Sequence, residues 1–295
     1  MKLEDEIKDF LTTRRARISP EQAGVPMFLG TRRVPGLRRE EVAHLAGVSV
    51  DYYNRLERGK TQGASREVLD AIARALQLDD TERQHLFDLV HTTRTRTTAP
   101  KKRTARSRVT SALQAVLDSI TGPAFLQNER IDLVAANTLG WALYPAAAEA
   151  APAPFSHPRF TFLDPRASDL ITDWDSTART TVALLRGAAG RNPYDDDLIA
   201  LVGTLSTQSE HFRTLWAAHD VVRYRGGAKH FQHPTVGELE FGYQTFDVPT
   251  DPGLVLLVYT VEPDSPTAQA MTLLSSWIAP TADRPAERSA TDQHR

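Results

Sequence analysis

The sequence predicts a two-domain protein, in which an all-α domain of five helices precedes a larger α+β domain. A chain of 295 residues is longer than one ordinary domain needs. Apolar residues recur at helical spacing in the first third, whereas strand-like segments follow only later. Between them lies a stretch without Val, Ile, Leu, Met or aromatic residues, which cannot form a core. We therefore place the all-α domain at residues 1–91, a basic linker at 92–108, the α+β domain at 109–280 and a polar tail at 281–295.

Composition limits the class of protein. Hydrophobic residues make up 41% of the chain and charged residues 24%, as in globular proteins, so wholesale disorder is not expected. No apolar run reaches membrane-spanning length, and the first residues, MKLEDEIKDF, do not resemble a signal peptide. We expect a cytoplasmic protein with no membrane contact. The absence of cysteine excludes disulfides, thiolate metal ligands and cysteine nucleophiles.

Charge is distributed unevenly along the chain. Residues 1–108 contain 22 Lys and Arg against 15 Asp and Glu, whereas the remainder contains 13 against 22. A basic small domain joined to an acidic larger one suggests that the first binds a polyanion and the second has another role. The basic linker either lies along DNA phosphates or serves as a solvated hinge, and the sequence leaves both interpretations open.

Periodicity and capping signals define the five helices of the first domain. They are predicted at residues 4–17, 38–46, 50–58, 67–76 and 81–90. Gly47 and Gly59 follow the second and third helices, where glycine commonly ends a helix, and Ser49 is placed to cap the third.

The second domain mixes both kinds of pattern. Helices are predicted at residues 109–120, 137–144, 165–189, 195–206, 209–218 and 266–277. Strands are predicted at residues 124–127, 130–135, 221–224, 229–233, 237–246 and 254–260.

The segment at residues 37–59, LRREEVAHLAGVSVDYYNRLERG, contains two short helices separated by three residues. Ala43 allows the helices to approach and Gly47 makes the turn, while Val48, Tyr53 and Leu56 are predicted to pack inward. The segment resembles the helix-turn-helix of phage-repressor-like (XRE-family) regulators, and this resemblance implies sequence-specific DNA binding. A helix-turn-helix that binds protein is the alternative, and the neighbouring arginines argue against it.

The remaining side chains divide into two predicted roles. Those on the outer side of the third helix are candidates for reading base edges in the major groove, namely Val50, Asp51, Tyr52, Asn54 and Arg55. Those near the start of the second and third helices are candidates for phosphate contacts, namely Arg32, Arg33, Arg38, Arg39 and Ser49. Many relatives carry glutamine at the position of Arg39, and this departure leaves the operator sequence open.

Stretches along nearly the whole chain resemble the MmyB-like branch of these bacterial regulators. They are residues 34–42, 49–53, 162–166, 212–221 and 231–239. The resemblance implies a PAS-like second domain that binds a small apolar ligand non-covalently, with a fatty-acid-like molecule as the natural suggestion. No other cofactor is expected.

A mixed sheet covered by helices can enclose an apolar hollow of ligand size. The predicted lining residues are Phe125, Leu133, Trp141, Leu143, Phe162, Trp174, Trp216 and Phe246. Any single one of them is more often simply part of the core. Arg213, His219 and Arg223 are candidates to anchor a ligand carboxylate.

Metal binding and catalysis are not expected. His211, His219, His230 and His233 lie at spacings that give no helical i, i+4 pair, and no HExxH motif accompanies them. The acidic run that begins at Asp195 lacks the pattern of a calcium loop and is expected to cap a helix. The sequence also lacks a GxSxG motif, a phosphate-binding glycine loop and a dinucleotide fingerprint.

The expected partners are double-stranded DNA, a second copy of the chain and a small apolar ligand. A homodimer is predicted because two reading helices about 34 Å apart would contact two half-sites. Two alternatives remain open. In one, the second domain only dimerises or recruits a protein partner, and in the other it is an enzyme.

Overall fold

The computed structural model describes residues 3–25, 34–94, 109–147, 154–220 and 226–278. The first domain contains the five predicted helices, which confirms the expected all-α architecture. Their bounds are α1 (Leu3–Arg17), α2 (Arg39–Leu45), α3 (Val50–Glu57), α4 (Arg66–Ala75) and α5 (Asp80–Arg94).

One apolar core holds these five helices together. From α1 it receives Ile7, Phe10 and Leu11, which are fully buried and recur at helical spacing. Acidic residues occupy the first turn of α1 and arginines its last turn, as the helix dipole favours. Helix α5 continues past its predicted end at residue 90 and past the predicted domain boundary at 91. In its last turns the hydroxyls of Thr92 and Thr93 donate to backbone carbonyls of the preceding turn.

The second domain is α+β, as predicted. Its strands are β1 (Ala124–Gln127), β2 (Asp132–Ala136), β3 (Phe155–Ser156), β4 (Gly226–His233), β5 (Gly237–Asp247) and β6 (Val255–Thr260). Its helices are α6 (Ser111–Ser119), α7 (Thr138–Leu143), α8 (His157–Leu163), α9 (Arg166–Leu170), α10 (Trp174–Arg191), α11 (Asp196–Gln208), α12 (Glu210–Ala217) and α13 (Pro266–Ile278).

The strands form one antiparallel sheet with the order β3-β2-β1-β6-β5-β4. Buried and more exposed side chains alternate along the first half of strand β5, where Leu239, Phe241 and Tyr243 are the buried ones. This alternation gives the sheet one apolar face. Aromatic rings from several elements meet there, and the rings of Phe125 and Tyr259 lie 5.5 Å apart in edge-to-face contact.

The structure departs from the predicted elements in two places. Residues 165–189 form α9 and α10 instead of one helix, because Ile171 bridges to Phe231 and the Thr172 amide donates to the His230 carbonyl. These contacts hold the chain extended against the edge of β4. Strand β3 and helix α8 were not predicted. The strand predicted at residues 221–224, most of the linker and the polar tail lie outside the described residues.

The two domains contact each other directly. Helices α1 and α5 pack against α10 and the turn after α12. The carbonyl of His219 accepts a 2.6 Å hydrogen bond from Arg14 of α1. None of the described helices has the length and apolar character that a membrane crossing requires.

Candidate DNA-binding surface and ligand cavity

The structure confirms the predicted geometry of the turn between α2 and α3. Gly47 has a φ of +66°, which glycine adopts without strain, and no atom would crowd a Cβ there. The Val48 amide donates to the Ala43 carbonyl at 2.9 Å and closes the turn. Ser49 then caps α3 by accepting a 3.1 Å hydrogen bond from the Tyr52 amide. Tyr53 is completely buried, so α3 has a fixed inner side.

The candidate base-reading residues lie on the other side of α3. Val50, Asp51 and Arg55 are exposed, and Tyr52 and Asn54 are half-buried. The Arg55 guanidinium lies over the Tyr52 ring at 5.9 Å from its centre. Stacking of this kind restricts the guanidinium while leaving its N–H groups free to reach a base. The arrangement is therefore suited to contacts in the major groove.

The candidate phosphate-contacting residues differ in their surroundings. Arg38 caps α2, with its amide donating to the Glu41 carboxylate at 2.6 Å, and its side chain is 41% exposed. Ser49 is exposed at the start of α3, next to the turn. Arg39 uses two of its nitrogens to bind Glu57, both at 3.1 Å, yet remains half-exposed. Arg32 and Arg33 lie outside the described residues.

Sequence reasoning missed the role of Glu57. Its carboxylate is only 1% exposed and accepts hydrogen bonds from Thr12, Arg15 and Arg39. Burial alone would raise the pKa of Glu57, but the hydrogen bonds from the two arginines outweigh it and hold the pKa below its usual value. Glu57 thus joins α1, α2 and α3. Its position beside buried Leu56, on the inner side of α3, is the signal that could have revealed this role.

The second domain encloses a cavity of about 20 Å³ between the apolar face of its sheet and α10. This volume holds about one water molecule. The lining combines aromatic and aliphatic side chains with six polar or charged ones: Phe125, Gln127, Ile131, Leu133, Tyr144, His157, Thr177, Thr180, Thr181, Leu184, Lys229, Leu257 and Tyr259.

Two of the predicted lining residues, Phe125 and Leu133, contribute to this cavity. The others lie elsewhere. Leu143 belongs to the surrounding core, whereas Phe162, Trp174 and Trp216 pack among the helices around Phe212 and His211. Trp141 is 36% exposed and Phe246 is 54% exposed. Phe246 points away from the aromatic core because side chains alternate along a strand, and Phe246 lies on the opposite face of β5 from Phe241 and Tyr243.

Of the three predicted carboxylate anchors, neither Arg213 nor His219 lines the cavity. Arg213 is exposed and donates to the Ser206 carbonyl. His219 is at the contact between the domains, 3.4 Å from Glu6. Arg223 lies outside the described residues. Of the other histidines considered, His233 is buried and accepts from two backbone amides, and His211 and His230 are partly exposed.

Lys229, which sequence reasoning did not select, supplies the only cationic group among the residues that line the cavity. Its ammonium donates to the Thr177 hydroxyl at 2.7 Å, and within the described ranges no carboxylate lies within ion-pair distance of it. Burial lowers the pKa of Lys229 to about 8, although the charge of Asp173 opposes the shift. His157 lies nearby, and burial, with a contribution from the charge of Lys229, lowers its pKa to about 3.

A recognisable signal accompanies Lys229 in the sequence. Lys229, Phe231 and His233 alternate along one strand, and Phe231 is a core residue. A lysine at an inward-facing position of a strand must be paired, or must face a cavity.

Sequence comparisons match a known family to each of the two domains. A helix-turn-helix domain profile matches residues 10–86. The profile of the MmyB-like transcription regulator ligand binding domain matches residues 109–274, which is more than half of the chain. No curated protein is significantly similar in sequence. Both matched families are regulatory and not enzymatic. With a DNA-binding helix-turn-helix followed by this ligand-binding domain, the chain belongs to the MmyB-like transcription regulators.

Proposed function

We propose that the chain is a cytoplasmic, homodimeric regulator of the XRE type whose affinity for operator DNA responds to a small amphiphile. In this proposal α3 reads base edges through Val50, Asp51, Tyr52, Asn54 and Arg55. Arg32, Arg33, Arg38, Arg39 and Ser49 position the domain on phosphates. Dimerisation places two reading helices on two half-sites.

The observation that carries the ligand proposal is the ammonium of Lys229 in a cavity that is otherwise lined by aromatic, aliphatic and neutral polar side chains. Lys229 is half-buried, and an ammonium partly removed from water without a counter-ion is unfavourable. An anionic group that enters the cavity would therefore gain a strong, partly desolvated partner. Thr177, already bonded to the ammonium, and Thr181 add hydroxyls beside it. A carboxylate on an aliphatic chain matches this combination of one polar end and an apolar remainder, which supports a fatty-acid-like ligand.

The cavity must enlarge to admit such a ligand. Sites for small molecules generally occupy roughly 300–1,000 Å³, far more than the 20 Å³ of this cavity. Several of the lining side chains are aromatic rings, which can rotate, and one wall is a helix instead of a strand. Ligand binding is therefore expected to be accompanied by a movement of that wall.

Isothermal titration calorimetry with dodecanoate below its micellar concentration tests this proposal. We expect one dodecanoate per chain, binding at least about tenfold weaker to Lys229→Met, and a change in DNA affinity when dodecanoate is present. Dodecanol, which has the same chain without the carboxylate, is the control ligand. Equal binding of dodecanol and dodecanoate, or binding of neither, would refute the carboxylate anchor.

A second candidate function is that the ligand-binding domain mainly dimerises or recruits a protein. Leu273 and Trp277 favour it, since they lie four residues apart on one side of α13 and are 54% and 62% exposed. Sedimentation of Trp277→Ser, together with dodecanoate titration of the parent, distinguishes the two candidates. Dissociation of the complex in the variant and no dodecanoate binding to the parent would favour assembly as the function of this domain, whereas dodecanoate binding to the parent would favour the ligand sensor.

A further inference from the structure

Helix α10 separates the cavity from the DNA-binding domain. Thr177, Thr181 and Leu184 line the cavity, whereas Arg186 and Gly190 contact α1 and α5. At about 100° per residue, Arg186 lies roughly 180° around the helix from Thr177, and Gly190 roughly 220°. One helix therefore presents the cavity wall on one side and the docking site of the DNA-binding domain on the other.

Arg186 is the centre of the docking contact and is completely buried. It forms an ion pair with Glu6 of α1, donates to the Trp216 carbonyl, and lies over the Trp216 ring at 4.1 Å. Burial would raise the pKa of Glu6, but the hydrogen bond from His219 and the charge of Arg186 lower it to about 2. Glu6 is thus ionised at neutral pH, and separating the domains would expose or unpair two buried charges.

Gly190 makes the second docking contact, against His85 of α5. A Cβ at residue 190 would lie 2.6 Å from Cε1 and 2.9 Å from Nδ1 of the His85 ring, closer than packed atoms approach. His85 is itself 4% exposed and cannot move into free space. Burial lowers the pKa of His85 to about 3, so the ring is neutral at physiological pH. Docking at the observed distance therefore requires glycine at this position.

The walls of the cavity differ in how easily they can move. Phe125, Leu133 and Leu257 come from β1, β2 and β6, which are fixed to one another by antiparallel hydrogen-bond ladders. The opposite wall is α10, which is held from behind by the docked α1 and α5. Enlarging the cavity by displacing α10 outward would therefore disturb the contacts of Arg186 and Gly190.

We propose that ligand binding in the cavity and docking of the DNA-binding domain on α10 oppose each other. This inference rests on the proposed function and assigns its regulation to α10. Arg186 and Gly190 act as positioning residues, since they lie at the docking contact and neither of them lines the cavity. Coupling between two sites is reciprocal, so weakening the docking must strengthen ligand binding by the same factor by which the ligand weakens docking.

The chain offers closely matched variants for a test. Gly190→Ala inserts a methyl group into the docking contact. Gly187→Ala, on the same helix, meets only the Arg191 side chain, at 3.4 Å. Glu6→Gln is a second way to weaken docking, from the side of α1, if Gly190→Ala fails to fold.

Docking is measured in the full chain by electron paramagnetic resonance distances. Because the protein has no cysteine, nitroxides attach only at Arg74→Cys on α4 and Ala200→Cys on α11, both exposed sites. We expect a narrow distance distribution in the parent and in Gly187→Ala, and a broader or longer one in Gly190→Ala and Glu6→Gln. Adding dodecanoate to the parent protein should also broaden or lengthen its distance distribution.

Dodecanoate affinity in the same proteins completes the test. We expect binding to Gly190→Ala at least about fivefold tighter than to the parent, and to Gly187→Ala unchanged. Dodecanoate binding with equal affinity to all variants and an unchanged distance would overturn the coupling and leave the proposed ligand intact. Absence of dodecanoate binding in every variant, the parent included, would refute the proposed ligand and the coupling with it.

Discussion

At the scale of single residues, Arg55 and Arg38 illustrate how the surroundings of a cation decide its role. Arg55 is exposed on the outer side of α3 and lies over the Tyr52 ring, which restricts its orientation. Arg38 stands at the start of α2, where helix amides also point outward. An oriented guanidinium suits bidentate contact with guanine, whereas an arginine beside a helix start suits a phosphate.

Arg55→Ala is expected to weaken binding to the operator by about 1–3 kcal/mol and to relax the preference for one base pair. Arg38→Ala should weaken binding to all sequences alike. It should also reduce the slope of log affinity against log salt concentration by about one, the value for one lost phosphate contact. Fluorescence anisotropy on operator and point-mutated duplexes measures both effects. Equal loss of base preference in the two variants would contradict the division of roles.

The affinity for dodecanoate is expected to depend on pH through Lys229. Its pKa of about 8 means that the ammonium is charged below that pH and progressively neutral above it, while the ligand carboxylate stays ionised throughout. Affinity should therefore be constant below pH 7 and fall by up to about tenfold per pH unit above 8. Calorimetry from pH 6.5 to 9.5 measures this. Lys229→Met should lose the dependence, and Lys60→Met, on an exposed residue of the other domain, should keep it.

At the scale of elements, Glu57 binds three helices of the DNA-binding domain together. Arg15 of α1 and Arg39 of α2 both donate to its buried carboxylate from α3. Because its pKa in the folded protein is lowered, this stabilisation is present above the pKa of an unfolded glutamate. It is lost as the pH falls through the lowered value.

Glu57→Ala is expected to lower the free energy of unfolding by about 3 kcal/mol, since it removes the carboxylate partner of the largely buried Arg15 guanidinium. Glu40→Ala, at a side chain that is 62% exposed, should change it by about 0.5 kcal/mol at most. Urea unfolding followed by circular dichroism at pH 7 compares the two. A loss for Glu57→Ala as small as that of the control would show that Arg15 and Arg39 find other partners.

Local signals in the sequence were sufficient to predict most elements and the geometry of the turn between α2 and α3. The α3 surface depends on the turn at Gly47 and the cap at Ser49, which act within a few residues. The cavity depends on contacts between distant segments. Its polar end, for example, is formed by a hydrogen bond from Lys229 of β4 to Thr177 of α10. Likewise, the break at Ile171 comes from pairing with Phe231, which helical periodicity cannot reveal.

At the scale of the whole molecule, the uneven charge and the docking of the domains fit one scheme. The basic first part, with 22 Lys and Arg against 15 Asp and Glu, is suited to a polyanion. The acidic remainder of the chain is not suited to binding a polyanion, and it contains the cavity. Helix α10 connects the two parts, since its opposite sides contact the cavity and the DNA-binding domain.

Sequence-specific DNA binding through α3 is tested most directly by competition between two duplexes at several salt concentrations. One duplex is taken from upstream of the gene for this protein, and the other is a scrambled sequence of equal length and composition. We expect the upstream duplex to bind at least about a thousandfold tighter, with affinity for both falling steeply as salt increases. Equal affinity for the two duplexes, or binding to neither, would contradict the claim.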